Sequence, residues 1–221
     1  MLMKNSKVLE DGTYIRSTND KLTYGTMVFV RAMLLQDLLH YLTKAVTTAV
    51  RYSVVRSQGQ INPEQREVQI LDYVTQQYKI FPHIATCFAI KVTANWVWDM
   101  YNTVESQLHQ ADYEKLPELH ALSCCLKAVV SADTAAGMEQ LRLSCGGHGY
   151  MTASNLPTLY GLATAVCTYE GENTVPLLQT ARYFVKSLKQ ALDGERLPES
   201  VEYLNEAAKG VKHRPWSNSL E

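Results

Sequence analysis

Two short stretches of the sequence hold residue types that could carry chemistry. Glycines cluster in Cys145-Gly-Gly-His-Gly-Tyr150, and a carboxylate stands inside Thr168-Tyr-Glu-Gly-Glu-Asn-Thr-Val175. Glycine lets the backbone adopt positive φ or approach a ligand closely, while the carboxylate of Glu170 could exchange protons. Each stretch alone also has a plainer interpretation: glycine often caps a helix C-terminus, and an acidic residue at a loop-to-helix turn is a favourable charge near a helix N-terminus.

The cysteines and histidines give no sign of a metal site or a disulfide framework. The five cysteines are an odd set without a CxxC pair, and no histidine has a second histidine at i, i+4. This pattern predicts reduced core thiols and no bound metal.

Composition and charge narrow the class of protein. The chain has 221 residues, 46% hydrophobic and 19% charged, which is enough to bury a core as one large domain or two small ones. Its formal net charge of -1 argues against a nucleic-acid or anionic-lipid partner. No apolar run reaches the length of a membrane helix and the N-terminus is polar, so we expect a soluble intracellular protein with no membrane partner.

Apolar residues recur at helical spacing in four long runs, at about 24–58, 68–108, 117–144 and 174–193. Pro82 lies inside the second run and predicts either a kink or two abutting helices. With little strand signal elsewhere, the pattern predicts an all-α fold, an up-and-down four-helix bundle.

The remaining segments are expected to be less regular. The opening residues to Asp20 are typical of a loop or a lead-in strand, and the glycine cluster should stop the third helix before a short mixed segment that leads to Thr168. Thr174 resembles an N-cap with Pro176 just inside the helix. A weaker helix is expected at 198–208, followed by a loose tail.

Taken in order, six segments resemble successive landmarks of the peroxisomal acyl-CoA oxidases, in the acyl-CoA dehydrogenase and oxidase superfamily. The resemblance covers nearly the whole chain. The six segments are 21–28 (KLTYGTMV), 51–56 (RYSVVR), 75–79 (TQQYK), 116–122 (LPELHAL), 145–150 (CGGHGY) and 168–182 (TYEGENTVPLLQTAR).

The resemblance implies a role for Glu170 as the catalytic base. In such enzymes a carboxylate removes the α-proton of a fatty acyl-CoA while the β-hydrogen leaves as hydride to FAD, which gives a trans-2-enoyl-CoA, and oxygen is then reduced to hydrogen peroxide. The base must be desolvated and the thioester oxygen needs hydrogen-bond donors. The resemblance assigns one donor to the backbone N–H of Glu170 and the other to the flavin ribityl hydroxyl, with Gly171 keeping the turn free of a Cβ. The alternative is that Glu170 is only a surface charge.

The resemblance also implies an FAD site. Arg56 matches an arginine that meets the FAD of a neighbouring subunit, where its forked guanidinium suits a pyrophosphate. Gly146 and Gly147 match glycines near the adenine end, and Glu172 belongs to the same cofactor-binding set, where the dehydrogenases carry a small hydroxyl residue. The plainer alternatives are a solvated helix-end cation for Arg56 and an ordinary C-cap for the two glycines.

Two departures from the family pattern weigh against this interpretation. Val74 stands where a glutamine is expected and cannot hydrogen-bond to a cofactor. The family's other domains do not fit in 221 residues, so we expect 1–20 to be a lead-in from a missing β-domain, 21–194 the catalytic-base domain, and 195–221 a linker toward a missing helical domain. A non-catalytic helical scaffold or dimerisation module derived from the family is the alternative function.

Further expectations concern the partners and the compartment. The resemblance implies a homodimer formed through the helices, with an exposed apolar stripe on them. Trp96, Trp98 and Met100 are expected to pack in the core, with an acyl tunnel as the alternative. A peroxisomal location is implied by resemblance only, because the sequence ends in Asn218-Ser-Leu-Glu221 and not in Ser-Lys-Leu.

Overall fold

A computed structural model describes residues 6–16, 20–60, 62–110 and 112–210. Within these ranges a short antiparallel hairpin, β1 (Lys7–Val8) and β2 (Tyr14–Ile15), precedes six α-helices. The helices are α1 (Asp20–Val55), α2 (Val74–His109), α3 (Leu116–Ser144), α4 (Leu156–Val166), α5 (Thr174–Leu192) and α6 (Leu204–Gly210). The prediction of an all-α fold is confirmed.

The core lies where α1, α2 and α3 pack against one another. The apolar face of α1 enters it at helical spacing through Ala32, Leu35, Leu38 and Leu42, all fully or almost fully buried. The short helix α4 covers α1 and α3, while α5 packs mainly on α3 and carries α6. The four-helix bundle is therefore not confirmed, because the fourth long helix rests on one member of a three-helix core.

Several predicted boundaries shift, each for a local reason. The second helix begins at Val74 and not near 68, because the preceding residues form a 3-10 turn at Ile70–Asp72 and a bridge between Ser57 and Gln69 that ties the segment to the end of α1. Pro82 lies within one uninterrupted helix, so the prediction of two abutting helices is wrong.

The segment before Thr168 contains a helix that the sequence pattern did not reveal. Helix α4 is only 11 residues long and carries Pro157 and Gly161, which obscured a buried face formed by Leu156, Leu159, Ala163 and Val166. The weak helix expected at 198–208 is divided into a 3-10 turn at Glu199–Val201 and α6. The tail predicted beyond Gly210 lies outside the described residues, as do parts of the lead-in.

Helix α3 is the one helix in the described ranges that is long and apolar enough to cross a membrane. However, 56% of its most apolar window is buried within the fold, as expected of the core helix of a globular protein.

Candidate active site

The turn between α4 and α5 has an unusual backbone. Glu170 has a φ of 56° and Gly171 a φ of 101°, both in the left-handed region. For a residue with a side chain this conformation costs about 1–3 kcal/mol and persists only when neighbouring contacts impose it. Gly171 meets the same demand without a Cβ, and a Cβ there would stand 3.3 Å from the Pro176 ring. Such strain is typical of functional sites.

Arg31 of α1 holds the first carbonyl of this turn. Arg31 is only 4% exposed, and its Nε and Nη2 donate to the carbonyl oxygen of Glu170 at 3.3 and 3.0 Å. The third nitrogen, Nη1, lies 3.0 Å from the Sγ of Cys124 on α3. Burial raises the pKa of the Cys124 thiol, partly offset by the nearby Arg31.

Lys127 of α3 holds the next carbonyl. Its Nζ donates to the carbonyl oxygen of Gly171 at 2.6 Å and to the Oδ1 of Asn173 at 2.8 Å. Burial lowers the pKa of Lys127, which has no solvent-exposed surface. The side-chain nitrogen of Asn173, Nδ2, in turn donates to the Oγ of Ser131 at 2.9 Å and to the carbonyl oxygen of Ala128 at 3.2 Å.

Because Asn173 is used in this way, it makes no capping bond with its side chain, although it occupies the N-cap position of α5. The prediction of Thr174 as the N-cap is wrong: Thr174 is the first helical residue. Its backbone N–H is bonded instead by Glu172, whose Oε2 accepts it at 3.1 Å.

The two held carbonyls also orient the amides that follow them. Since peptide bonds are planar and trans, the N–H groups of Gly171 and Glu172 point away from Arg31 and Lys127. Among the described residues, the N–H groups of Glu170, Gly171 and Glu172 donate to no protein atom. The turn therefore combines three available donors with the half-buried carboxylate of Glu170, an arrangement that can bind an oxygen and abstract a proton beside it.

Three of the four predicted cofactor residues, Arg56, Gly146 and Gly147, lie elsewhere, near the C-terminal end of α1, whereas Glu172 lies in the turn with Glu170. Arg56 follows the helix directly, is exposed, and donates through Nη2 to the Oε1 of Gln58 at 3.3 Å. The glycine turn at Gly146–Gly149 is tied to the same end, because the Tyr52 hydroxyl lies 3.2 Å from the Nδ1 of His148.

A buried amide strengthens this junction. The Nε2 of Gln76 on α2 donates to the Oγ of Ser53 and to the carbonyl oxygen of Ser144, both at 2.9 Å. It thus joins α1, α2 and α3 directly beside the glycine turn.

The glycines of this turn differ in what surrounds them. A Cβ on Gly146 or Gly147 would meet no heavy atom within 4 Å, so the backbone there is approachable. A Cβ on Gly149 would overlap the carbonyl oxygen of Arg142, so this glycine is required for packing. An open glycine backbone and an exposed guanidinium are both groups that can approach a phosphate closely.

The structure does not bring these cofactor residues to Glu170. Arg31, beside Glu170, and Arg56 are twenty-five positions apart along α1, which corresponds to about 37 Å at the helical rise. One flavin nucleotide cannot span that distance. Within one chain, Glu170, Gly171 and Glu172 form one group, and Arg56, Gly146 and Gly147 form another.

The remaining candidates are divided between core and surface. Trp98 and Met100 are partly buried against the core, as expected, and Trp98 packs 5.9 Å from the ring of Phe29. Trp96 is 49% exposed and lines a groove beside α5 together with Met100. Val74 is 77% exposed at the start of α2. In the described residues no cluster of three or more His, Cys, Asp or Glu could hold a metal ion.

Sequence analysis missed Arg31, Lys127 and Asn173. A signal was present, because Arg31 and Lys127 fall at helical spacing on buried faces: Arg31 follows Val28 and precedes Leu35, and Lys127 follows Cys124. A cation on a buried face is rare without a partner, so such a position in the sequence predicts a buried hydrogen-bond network.

This all-α fold with its strained carboxylate turn defines a class of protein. Residues 24–185 match the family described as acyl-CoA oxidase, C-alpha1 domain. The chain belongs to the acyl-CoA oxidase family.

Individual relatives agree with this assignment. The chain is 56% identical over 220 residues to acyl-coenzyme A oxidase 1 of Drosophila melanogaster, and 48% identical over 206 residues to peroxisomal acyl-coenzyme A oxidase 1 of Homo sapiens. These alignments cover 100% and 93% of this chain, but 33% and 31% of the relatives. The chain therefore spans about a third of the length of the curated relatives it matches.

Solved structures show the same fold. Arabidopsis thaliana acyl-CoA oxidase 1 matches with a TM-score of 0.85 at 38% identity, over 98% of this chain and 33% of that one. Acyl-CoA oxidase-2 of Caenorhabditis elegans, bound with FAD, ascaroside-CoA and ATP, matches with a TM-score of 0.83 at 39% identity, over 91% of this chain and 31% of that one.

Proposed function

We propose that this chain is the catalytic-base segment of an FAD-dependent acyl-CoA oxidase of fatty acid β-oxidation. The whole enzyme would convert a fatty acyl-CoA to a trans-2-enoyl-CoA and reduce oxygen to hydrogen peroxide. The observation that carries the proposal is the left-handed Glu170, held by two buried cations in a family whose relatives are acyl-CoA oxidases. A scaffold without catalysis has no need to maintain such strain.

Glu170 would act on the carbon next to the thioester. Its carboxylate would take the α-proton, and the backbone N–H of Glu170 would donate to the thioester oxygen as negative charge develops there, with Gly171 leaving room for the substrate beside the main chain. FAD, when bound, accepts the β-hydrogen as hydride and passes the electron pair to oxygen. Glu170 is half-buried, so its carboxylate lies within the turn and not in open solvent.

Arg56, Gly146 and Gly147 would hold the nucleotide half of FAD. Two related structures contain FAD, from Caenorhabditis elegans acyl-CoA oxidase-1 and oxidase-2. Glu172 caps α5 in this chain, so we assign it an indirect part in cofactor binding, through the turn that it stabilises. Val74 is exposed at the start of α2, but its side chain has no donor or acceptor and so cannot contribute a hydrogen bond to FAD.

The enzyme would work as a homodimer. Because Arg56 lies about 37 Å along α1 from the Glu170 site, the FAD that it contacts must serve a different active site, which a partner copy supplies. Large apolar side chains are exposed along one side of α2 and support this assembly. They are Val74, Tyr78, Phe81, Phe88, Val92 and Trp96.

We assign residues 21–194 to the catalytic-base domain, with 1–20 and 195–221 as its connections. The family match at 24–185 supports these bounds. We also propose a peroxisomal location, as the names of the mammalian relatives suggest.

The test replaces Glu170 with Gln in a full-length oxidase. A suitable host is the Drosophila melanogaster enzyme with this segment in place of its own matching third. We expect peroxide release from acyl-CoA to fall at least about 1,000-fold, since the amide cannot accept a proton, while FAD absorbance is retained. Peroxide production at the rate of the unmodified chimera would refute the assignment. A chimera without flavin or activity would favour the scaffold.

A further inference from the structure

The unexplained residue of this site is Lys127. A lysine without solvent-exposed surface is costly to bury, and a methionine of similar length would fill the same space without a charge. Lys127 lies on the buried face of α3 among Cys124, Ala128 and Ser131, where no position is open to solvent.

The hydrogen bonds of Lys127 all go to one place. Its two acceptors among the described residues, the Gly171 carbonyl oxygen at 2.6 Å and the Asn173 Oδ1 at 2.8 Å, belong to the turn that carries Glu170. Ser131, one turn further along α3, bonds the amide nitrogen of Asn173 at 2.9 Å. Side chains of α3 therefore hydrogen-bond the turn at residues 171 and 173, directly after Glu170.

The hydrogen bonds from Lys127 reach the turn in which Glu170 and Gly171 have left-handed backbone conformations. Arg31 fixes only the peptide between Glu170 and Gly171, through the Glu170 carbonyl. The next peptide, between Gly171 and Glu172, is fixed by Lys127. Without that second anchor the turn could rotate about the bonds of Gly171, and the left-handed φ of Glu170 would relax and displace its Cβ.

We propose that Lys127 is a positioning residue for proton abstraction: it locks the turn that follows Glu170 so that the carboxylate and the backbone donors meet the substrate together. This inference rests on the proposed oxidase function. A misplacement of about 1 Å at a reacting group can lower the rate by about 100-fold without weakening substrate binding.

The experiment replaces Lys127 with Met in the FAD-loaded chimera described above. We expect kcat per bound FAD to fall about 10- to 100-fold with KM changed less than about threefold. The deuterium isotope effect on kcat with acyl-CoA deuterated at the α-carbon should rise, because cleavage of the α-carbon–hydrogen bond becomes more rate-limiting. The matched control is Lys189→Met, the same substitution at an exposed lysine of α5, which should leave all three quantities unchanged.

The outcomes separate this inference from the proposed function. Inactivity of the unmodified chimera would overturn both. An active chimera in which Lys127→Met keeps its kcat per FAD, or loses kcat without a larger isotope effect, would overturn the positioning role alone, since a purely structural lysine changes the amount of intact enzyme and not its chemistry. If Lys127→Met does not bind FAD, Asn173→Ala decides: a lower kcat with a larger isotope effect supports the proposal, and unchanged values overturn it.

Discussion

At the scale of single residues, the glycine turn shows that glycines in one motif have different tasks. Gly149 packs against the main chain of Arg142, whereas Gly147 has open space beside it. We expect Gly149→Ala to lower the free energy of unfolding by about 1–3 kcal/mol, because backbone must move to admit the methyl group. Urea denaturation measures this change. Gly147→Ala is the control and should stay within about 1 kcal/mol; equal losses in both variants would contradict the packing argument.

At the scale of elements, α2 runs without interruption through an exposed proline. Pro82 has no N–H to donate to the carbonyl of Tyr78, so that helical bond is missing. We therefore expect Pro82→Ala to raise the free energy of unfolding by about 1–3 kcal/mol. Pro82→Gly should gain about 1 kcal/mol less than Pro82→Ala, because glycine is a poorer helix former. Thermal unfolding checks both variants, and a loss of stability in Pro82→Ala would mean that the fold depends on the proline.

At the scale of the whole molecule, the proposed dimer can be tested through the apolar side chains exposed along α2. We expect the double substitution Phe88→Glu with Val92→Glu to convert the full-length chimera from dimer to monomer in sedimentation, since it places charges within an apolar contact. FAD content should fall with it, because Arg56 would no longer reach the partner's cofactor. Val185→Glu, an exposed apolar position on α5, is the control. A variant that remains dimeric with full FAD would remove α2 from the interface.

The sequence by itself determined the helices of the core and the order of the motifs. Apolar periodicity is a local property, so α1 and α3 were predictable to within a few residues, whereas α4 was hidden by Pro157 and Gly161 in a run of only 11 residues. Glu170 was recognisable because its neighbours in the motif are contiguous.

Only the tertiary structure decided how Glu170 is held. The bonds that impose its left-handed backbone come from Arg31 and Lys127, which are 139 and 44 positions away from their acceptors. The separation of Arg56 from Glu170 likewise follows from where α1 meets the other helices. Such contacts depend on which helix faces pack together, and that packing is set by the burial of the whole core, so no local pattern can encode it.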